Sequence, residues 1–362
     1  MPTDKILVIV QLSGGNDGLN TVIPYQDDWY YKLRPGIALE KKEILTLHDQ
    51  FGWNSELSPM RELYENGFMS IYNRVGYPNP DRSHFRSMDI WHSASDANEY
   101  RSDGWIGRYI DASCNGCAKP HLAIELDESL SLALKGEELN GLAVSNPVKL
   151  KKALSGPLMQ ELMQMPHEGS SNLSFLYKTL SDTGQSVDYL FEHSRQQRTS
   201  EEFPSTGFSN DLRMIASLIN SGSETKVYYV SLTGFDTHNN QKNRQRKLLR
   251  EYSEGISAFY RELKKSGNWN RTMIMTFSEF GRRAEQNASG GTDHGKANCL
   301  FLAGGSIKNP GFQPVEMDLQ HTDDGDIPFE TDFRRIYTSL LDNWLEADAK
   351  SILGKSFSPV LL

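Results

Sequence analysis

Residues 5–12, KILVIVQL, followed at once by residues 13–20, SGGNDGLN, form the stretch that decides the fold. The first half is a short, β-branched apolar run that ends at a Ser-Gly-Gly sequence, which is typical of a buried parallel strand. The second half is a glycine-rich turn that carries Asn16 and Asp17. In open parallel sheets ligands bind beyond the carboxyl ends of the strands, so this turn is the first place to look for a functional residue.

The same pattern of an apolar run before a polar turn recurs along the chain. We predict further strands at residues 68–75, 122–124, 226–232, 272–277 and 299–303, and helices at 212–219, 244–265 and 332–345. Alternating helices and strands predict an α/β fold with a mostly parallel sheet and helices on both faces. We interpret residues 1–362 as one domain. Residues 125–205, which show helical patches and few strand signals, form a helical insertion or cap in this interpretation.

The composition narrows the classes of function. With 38 basic and 47 acidic side chains the net charge is −9, which argues against nucleic-acid binding because that needs a basic face. No apolar stretch has the length of a membrane-spanning segment. The chain as written reads as cytoplasmic, or as an exported protein whose leader has been removed. The amino-acid sequence does not predict an oligomeric state.

The cysteines leave three interpretations open. Cys114 and Cys117 form a C-x-x-C motif, which is a redox pair, half of a zinc site or a polar loop with two free thiols. Cys299 lies in an apolar run and is predicted to belong to the core.

Asp17 and Ser83 each follow a predicted strand and each have an ordinary alternative. Asp17 is a metal-binding carboxylate or a turn residue. A phosphate-binding loop is a weaker alternative, since the glycine spacing fits neither common pattern. In residues 79–85, NPDRSHF, Ser83 is the predicted N-cap of a helix, where a serine is also well placed to attack a bound anion. His84 either stabilises charge on the substrate or is a plain helix residue.

Three later motifs supply most of the candidate metal ligands. Asp236 and His238 follow the strand at 226–232, and a carboxylate with an imidazole suits a transition metal. Glu279 follows the strand at 272–277 and is a further candidate. Its neighbour Arg282 binds an anionic substrate, pairs with a carboxylate or is simply solvated.

His294, between glycines in residues 290–295 GGTDHG, is the strongest single candidate, with Asp293 orienting an imidazole from behind. Convergence of these side chains would form one or two divalent sites, for which we expect zinc, manganese or calcium. Without a cation, clustered carboxylates would repel one another.

The strings GGNDGLNTVIP, RSHFRSMDIW, GFDTHNNQ, TFSEFGRR and GTDHG resemble the bacterial family known as domain of unknown function 1501 over nearly the whole chain. That family resembles a branch of the alkaline phosphatase superfamily, which includes phosphatases, phosphodiesterases and sulfatases. The resemblance implies metal ligation by Asp17, Asp236, His238 and His294, with Glu279 in the place of a metal-binding aspartate, and a nucleophilic role for Ser83. It also implies a twin-arginine leader in many members, a motif that is not found at the start of the sequence as written.

Two departures from the superfamily pattern matter. Phe280 stands where a histidine ligand is expected, which puts the second metal ion in doubt. The sulfatase signature Cys-x-Pro-x-Arg is absent around Ser83. The sequence therefore favours a hydrolase of small phosphate or sulfate esters that uses Ser83, with Arg282 or His84 stabilising charge. The alternatives are a non-catalytic metal- or ligand-binding protein on a degenerate hydrolase scaffold, and a partner-binding protein that docks through residues 125–205.

Overall fold

A computed structural model describes residues 4–114, 119–165, 172–196, 198–313 and 315–362 of the chain. The strands are β1 Ile6–Ser13, β2 Val22–Ile23, β3 Ile44–Thr46, β4 Gly52–Asn54, β5 Met69–Gly76, β6 Ala123–Glu125, β7 Leu142–Ala143, β8 Val227–Thr233, β9 Thr272–Phe277, β10 Asn298–Gly304, β11 Gly311–Gln313 and β12 Thr331–Asp332. The α-helices are α1 Asp28–Leu33, α2 Arg61–Glu65, α3 His84–Ser93, α4 Trp105–Ser113, α5 Pro147–Leu154, α6 Pro157–Met163, α7 Asn172–Gln196, α8 Gly207–Asn220, α9 Gln241–Lys265, α10 Phe333–Ser339 and α11 Ala349–Leu353. Residues Leu340–Trp344 continue α10 as a π-helix.

The main sheet has the strand order β11-β5-β10-β9-β1-β8-β6-β7, with β12 also beside β5. Strand β1 lies at its centre, parallel to both β8 and β9. Strand β10 runs antiparallel to its two neighbours β5 and β9. The carboxyl ends of β1, β5, β8 and β9 therefore lie at one edge, and the segment that enters β10 begins at that same edge.

Alternating side chains of β1 enter two different cores. Val8 and Val10 pack with α8 and α9 on one face, whereas Leu7 and Ile9 pack with α3, α4 and α10 on the other. Each of these four side chains is essentially inaccessible to solvent. This two-sided burial explains why the strand reads as a continuous apolar run, and it confirms the predicted α/β fold with helices on both faces.

The interval 125–205 contains β7 and the helices α5, α6 and α7, in keeping with its helical sequence pattern. No helix within the described ranges has the length and apolar character needed to cross a lipid bilayer.

The cysteines separate into two classes. Cys114 is disulfide-bonded, so the interpretation of a free thiol at this position is wrong, while Cys117 lies outside the described residues. Cys299 is a free, buried thiol on β10, as the prediction of a core residue required.

Glu125, at the end of β6, should make stability depend on pH. Its side chain is 4% exposed, and burial raises its pKa to about 7, although the backbone amide of Ser131 donates to Oε2 over 2.7 Å. A raised carboxyl pKa means that the folded state loses stability as pH rises from the unfolded value of about 4.5 towards 7. We expect Glu125→Gln to gain about 2–3 kcal/mol over the wild type at pH 8, but little at pH 4.

Urea unfolding at the two pH values measures this difference. Glu128→Gln, at an exposed carboxyl three residues away, is the control. A stability gap between Glu125→Gln and wild type that is equal at both pH values would contradict the prediction.

Candidate metal centre

The loops that follow β1, β8 and β9 pack tightly against one another at the edge of the sheet where the carboxyl ends of these strands lie. Gly14 has a φ of 119°, and a Cβ atom there would lie 2.4 Å from the backbone nitrogen of Asp236. Only glycine tolerates both the backbone conformation and the close approach. The glycine-rich turn after β1 is therefore explained by its packing against the loop that carries Asp236.

Three histidines and one aspartate converge at this edge. Oδ1 of Asp236 lies 3.1 Å from Nε2 of His238, 3.2 Å from Nε2 of His294 and 3.7 Å from Nε2 of His84. The Nε2 atoms of His238 and His294 are 3.0 Å apart. His84 comes from the first turn of α3, whereas His294 lies in the segment that enters β10. Asp236 and the three histidines are hereafter called the His3Asp cluster.

In each imidazole of the His3Asp cluster, the second ring nitrogen, Nδ1, lies within hydrogen-bond distance of an acceptor. Nδ1 of His84 lies 3.0 Å from Oε1 of Glu279, and Nδ1 of His238 lies 3.1 Å from Oδ1 of Asp293. Nδ1 of His294 lies 2.8 Å from the carbonyl oxygen of Arg82. A carbonyl or ionised carboxylate only accepts, so these contacts assign the N–H to Nδ1 and leave Nε2 as a lone pair.

This arrangement fits a cation. Lone pairs of His238 and His294 that face each other at 3.0 Å, beside a carboxylate oxygen, repel unless a proton or a metal ion lies between them. Histidines whose outer N–H groups are fixed by carboxylates or carbonyls are the usual ligands of zinc and related metals. Nitrogen and carboxylate donors together also suit these metals.

The pKa shifts of Asp236 and His294 agree with this assignment. Burial opposes ionisation of Asp236, but the hydrogen bond and positive charge of Arg282 help to outweigh it, and the pKa is lowered to about 2. Burial also lowers the pKa of His294, which keeps that ring neutral and able to bind a metal. At His84, by contrast, the hydrogen bond to Glu279 raises the pKa, so a metal ion bound at Nε2 would have to displace a proton.

Arg282 contacts the cluster through an ion pair with Asp236. Its guanidinium is fully buried and donates to the carbonyl oxygens of Gly14, Gly15, Phe235 and Thr292, as well as to Oδ1 of Asp236 over 2.8 Å. Of the alternatives that the sequence left open, this geometry favours pairing with a carboxylate, because the donors are committed to the protein.

Asp17 lies apart from the His3Asp cluster, in a buried polar network. Its Oδ2 pairs with Nη1 of Arg34 at 2.5 Å and accepts from Gln241, while Oδ1 accepts from the amide of Leu19. Asn16 is equally buried and bonds Thr21 and Gln245. These two residues shape the turn after β1 from within the protein.

Glu279, Phe280 and Ser83 surround His84. Glu279 is fully buried and accepts both from His84 and from the amide of Gly14, so it lies behind the histidine. The ring of Phe280 packs at 4.9 Å from His84 and 4.5 Å from His294, forming an apolar wall. Ser83 is the N-cap of α3, although its side chain makes no capping hydrogen bond.

The sequence analysis missed several residues that the structure brings to this region. Arg34 and Gln241 belong to the Asp17 network, and Arg82 holds His294 through a main-chain oxygen. No motif marks Arg34. The position of Gln241 at the first turn of α9, directly after Asp236 and His238, was a usable signal.

Comparison with solved structures gives distant similarity in overall fold. LtaP, the lipoteichoic acid synthase of Listeria monocytogenes, aligns with 8% identity and a TM-score of 0.39, over 86% of this chain and 68% of that one. A protein of the alkaline phosphatase superfamily from Vibrio parahaemolyticus aligns with 10% identity and a TM-score of 0.40, over 100% and 72%. The zinc complex of the periplasmic domain of EptC from Escherichia coli aligns with 9% identity and a TM-score of 0.38, over 84% and 75%.

In sequence, no functionally curated protein is detectably similar to this chain. A family model does match, over residues 73–320, which include Ser83 and every member of the His3Asp cluster. The chain belongs to the family described as protein of unknown function DUF1501.

Proposed function

We propose that this protein is a metal-dependent hydrolase of phosphate or sulfate esters that uses Ser83 as its nucleophile. One observation carries the proposal: the Nε2 atoms of three histidines converge on Asp236 while each outer Nδ1 is fixed by an acceptor. That pattern is costly for a purely structural cluster, because unprotonated nitrogens face each other without a donor. It is what a metal centre requires.

Asp236, His84, His238 and His294 would hold the ion. Among zinc, manganese and calcium, three nitrogen donors favour zinc, since calcium takes oxygen ligands. When bound, such a cation polarises a phosphoryl or sulfuryl oxygen and stabilises the charge that develops during transfer. Among the residues that the structure describes, one group of three has ligand atoms that all lie within 4.8 Å of one another, His84, Asp236 and His294, which supports one ion rather than two.

Two features of Ser83 support a role as nucleophile. It directly precedes His84 and caps α3 by its backbone, while its hydroxyl is not spent on the helix amides. The first-turn amides of a helix are suited to hold an anionic ester group, and the helix dipole favours the negative charge. The substrate class that follows is a small anionic ester.

The test compares turnover by the metal-loaded wild type, Ser83→Ala and Ser289→Ala. Ser289 is an exposed serine in the loop that leads to Asp293, and it serves as the matched control. On a panel of phosphomonoesters, phosphodiesters and sulfate esters, we expect Ser83→Ala to lower kcat/KM at least ~100-fold and Ser289→Ala to leave it unchanged. Full turnover by Ser83→Ala would exclude this serine as the nucleophile.

The alternative is a non-catalytic metal-binding protein. The ion pair and hydrogen bonds of Arg282 favour it, because they commit this guanidinium to the protein and leave it unable to bind the transferred group. Stoichiometric metal without turnover on any ester of the panel would select this alternative.

A further inference from the structure

Asp326 is a fully buried carboxylate outside the His3Asp cluster. Its side chain has 0% exposure and is surrounded by the cationic groups of Arg82, Arg283 and Lys296. Arg82 makes the direct ion pair, whereas the other two cations are 4.0 Å away. Its Oδ1 accepts no hydrogen bond from any residue that the structure describes. A carboxylate buried to this degree is costly unless a paired charge compensates it, so Arg82 is the partner on which Asp326 depends.

A tight turn presents Asp326 to Arg82. Asp323 and Asp326 exchange two backbone hydrogen bonds, of 2.9 and 3.0 Å. Between them Asp324 and Gly325 have φ angles of 54° and 78°, as expected for a two-residue hairpin turn. The turn is also fixed to the loop after β9, because the amide of Ala284 donates to the carbonyl oxygen of Gly325 over 3.1 Å.

Arg82 connects this turn to the His3Asp cluster in two ways. Its carbonyl oxygen, 2.8 Å from Nδ1 of His294, selects the tautomer that leaves Nε2 of His294 as a lone pair. The chain then continues through Ser83 directly into His84. The Arg82 backbone therefore contacts one histidine of the cluster and lies two residues before another. The Arg82 side chain is 36% exposed and pairs with Asp326.

We propose that Asp326 is a positioning residue of the metal site, which holds the Arg82 carbonyl against His294 through its ion pair with the Arg82 guanidinium. This inference rests on the metal site of the proposed function but not on ester hydrolysis. It assigns a role to Asp326, which lies six residues beyond the region matched by the family model.

The experiment uses the full-length protein with Asp326→Asn, Arg82→Gln and the control Asp324→Asn. Asp324 belongs to the same turn, but it is 82% exposed and lies 3.7 Å from Arg82. The affinity for Co²⁺ is measured by chelator competition, and the visible spectrum of bound Co²⁺ reports its coordination. We expect ~10- to 100-fold weaker binding and an altered spectrum for both Asp326→Asn and Arg82→Gln, and less than about threefold change for Asp324→Asn.

A second readout needs no metal. Imidazole ¹⁵N spectra of the metal-free protein should show the Nδ1–H tautomer for His294 in the wild type and its loss or mixing in Asp326→Asn, with His238 unchanged. Should Asp326→Asn fail to fold, Arg82→Gln, at a side chain that is 36% exposed, provides the same comparison.

Folded variants with the wild-type tautomer of His294 would overturn the proposal, as would wild-type Co²⁺ affinity and spectrum. If the wild type bound Co²⁺ without hydrolysing any ester, only the proposed activity would fail. If it bound no Co²⁺, the metal site would fail, and the tautomer of His294 would still decide the positioning role.

Discussion

Replacing His294 by alanine should weaken zinc binding by about 100- to 1000-fold. A four-ligand zinc site gains roughly 10–16 kcal/mol, so the loss of one ligand costs about 3–4 kcal/mol, which corresponds to that change in affinity. His294 is the sharpest choice because its Nε2 contacts both Asp236 and His238. Removing it therefore takes a donor from the centre of the His3Asp cluster.

The measurement is equilibrium competition with a chromophoric chelator, on protein purified without contact with nickel resin. Elemental analysis should give near-stoichiometric metal in the wild type and little in His294→Ala. His321→Ala is the matched control, because His321 is 74% exposed and pairs with Asp318, outside the cluster. We expect it to bind metal like the wild type.

His238→Ala extends the same prediction to a side chain that is 43% exposed, where a change in folding is not a concern. The outcome that contradicts the metal centre is equally clear. A wild type that takes up none of zinc, manganese or calcium on reconstitution, or variants with unchanged stoichiometry, would leave the His3Asp cluster without a cation.

Much of the central sheet could be predicted from the sequence because its strands are buried on both faces. The runs at 5–12, 68–75, 226–232 and 272–277 correspond to β1, β5, β8 and β9 within about one residue. Strands β2, β7 and β12 have only two residues each, too few to show any periodicity. The antiparallel direction of β10 is set by its neighbours β5 and β9 and leaves no mark in its own sequence.

The direction of β10 matters for the site. Strand β10 starts at the edge where the carboxyl ends of the parallel strands lie. The segment before β10 carries Asp293 and His294, and it therefore contacts the loops that follow the parallel strands. The motif itself was visible in the sequence, since Asp-His between glycines is hard to explain by packing. Its placement beside Asp236 depends on pairing between strands that are distant in the chain.

His84 and Asp17 show the limit of reasoning from local sequence. His84 begins a helix, and nothing in its neighbours distinguishes a ligand from a surface helix residue until Glu279 is seen behind it. Asp17 has the opposite problem. A carboxylate at a strand end looks the same whether it meets a metal or Arg34, which lies 17 residues later in a segment without a motif. In both cases the role of the residue is revealed by the side chain that it contacts and not by its local sequence.

Arg34→Met should destabilise the protein by about 3–5 kcal/mol, because it leaves the carboxylate of Asp17 buried without its paired charge. Both side chains of this pair are at most 1% exposed, and Nη1 of Arg34 lies 2.5 Å from Oδ2 of Asp17. The same guanidinium donates to the carbonyl oxygens of Arg283 and Ala284, so it also ties the segment around α1 to the loop after β9. Methionine keeps much of the length of arginine but supplies no donor.

Chemical unfolding of the metal-free protein measures the effect, with Arg61→Met as the control. Arg61 pairs with Glu65 on the surface of α2, where both side chains are more than half exposed, so its loss should cost less than about 1 kcal/mol. In Arg34→Met/Asp17→Asn, removal of the second charge should recover part of the lost stability, since the uncompensated carboxylate is the main cost. A large loss in the single variant with partial recovery in the double variant would establish Asp17 as a structural anion. If Arg34→Met instead unfolded within about 1 kcal/mol of the wild type, Gln241 and the amide of Leu19 would suffice to stabilise the carboxylate, and Arg34 would not be the partner on which Asp17 depends.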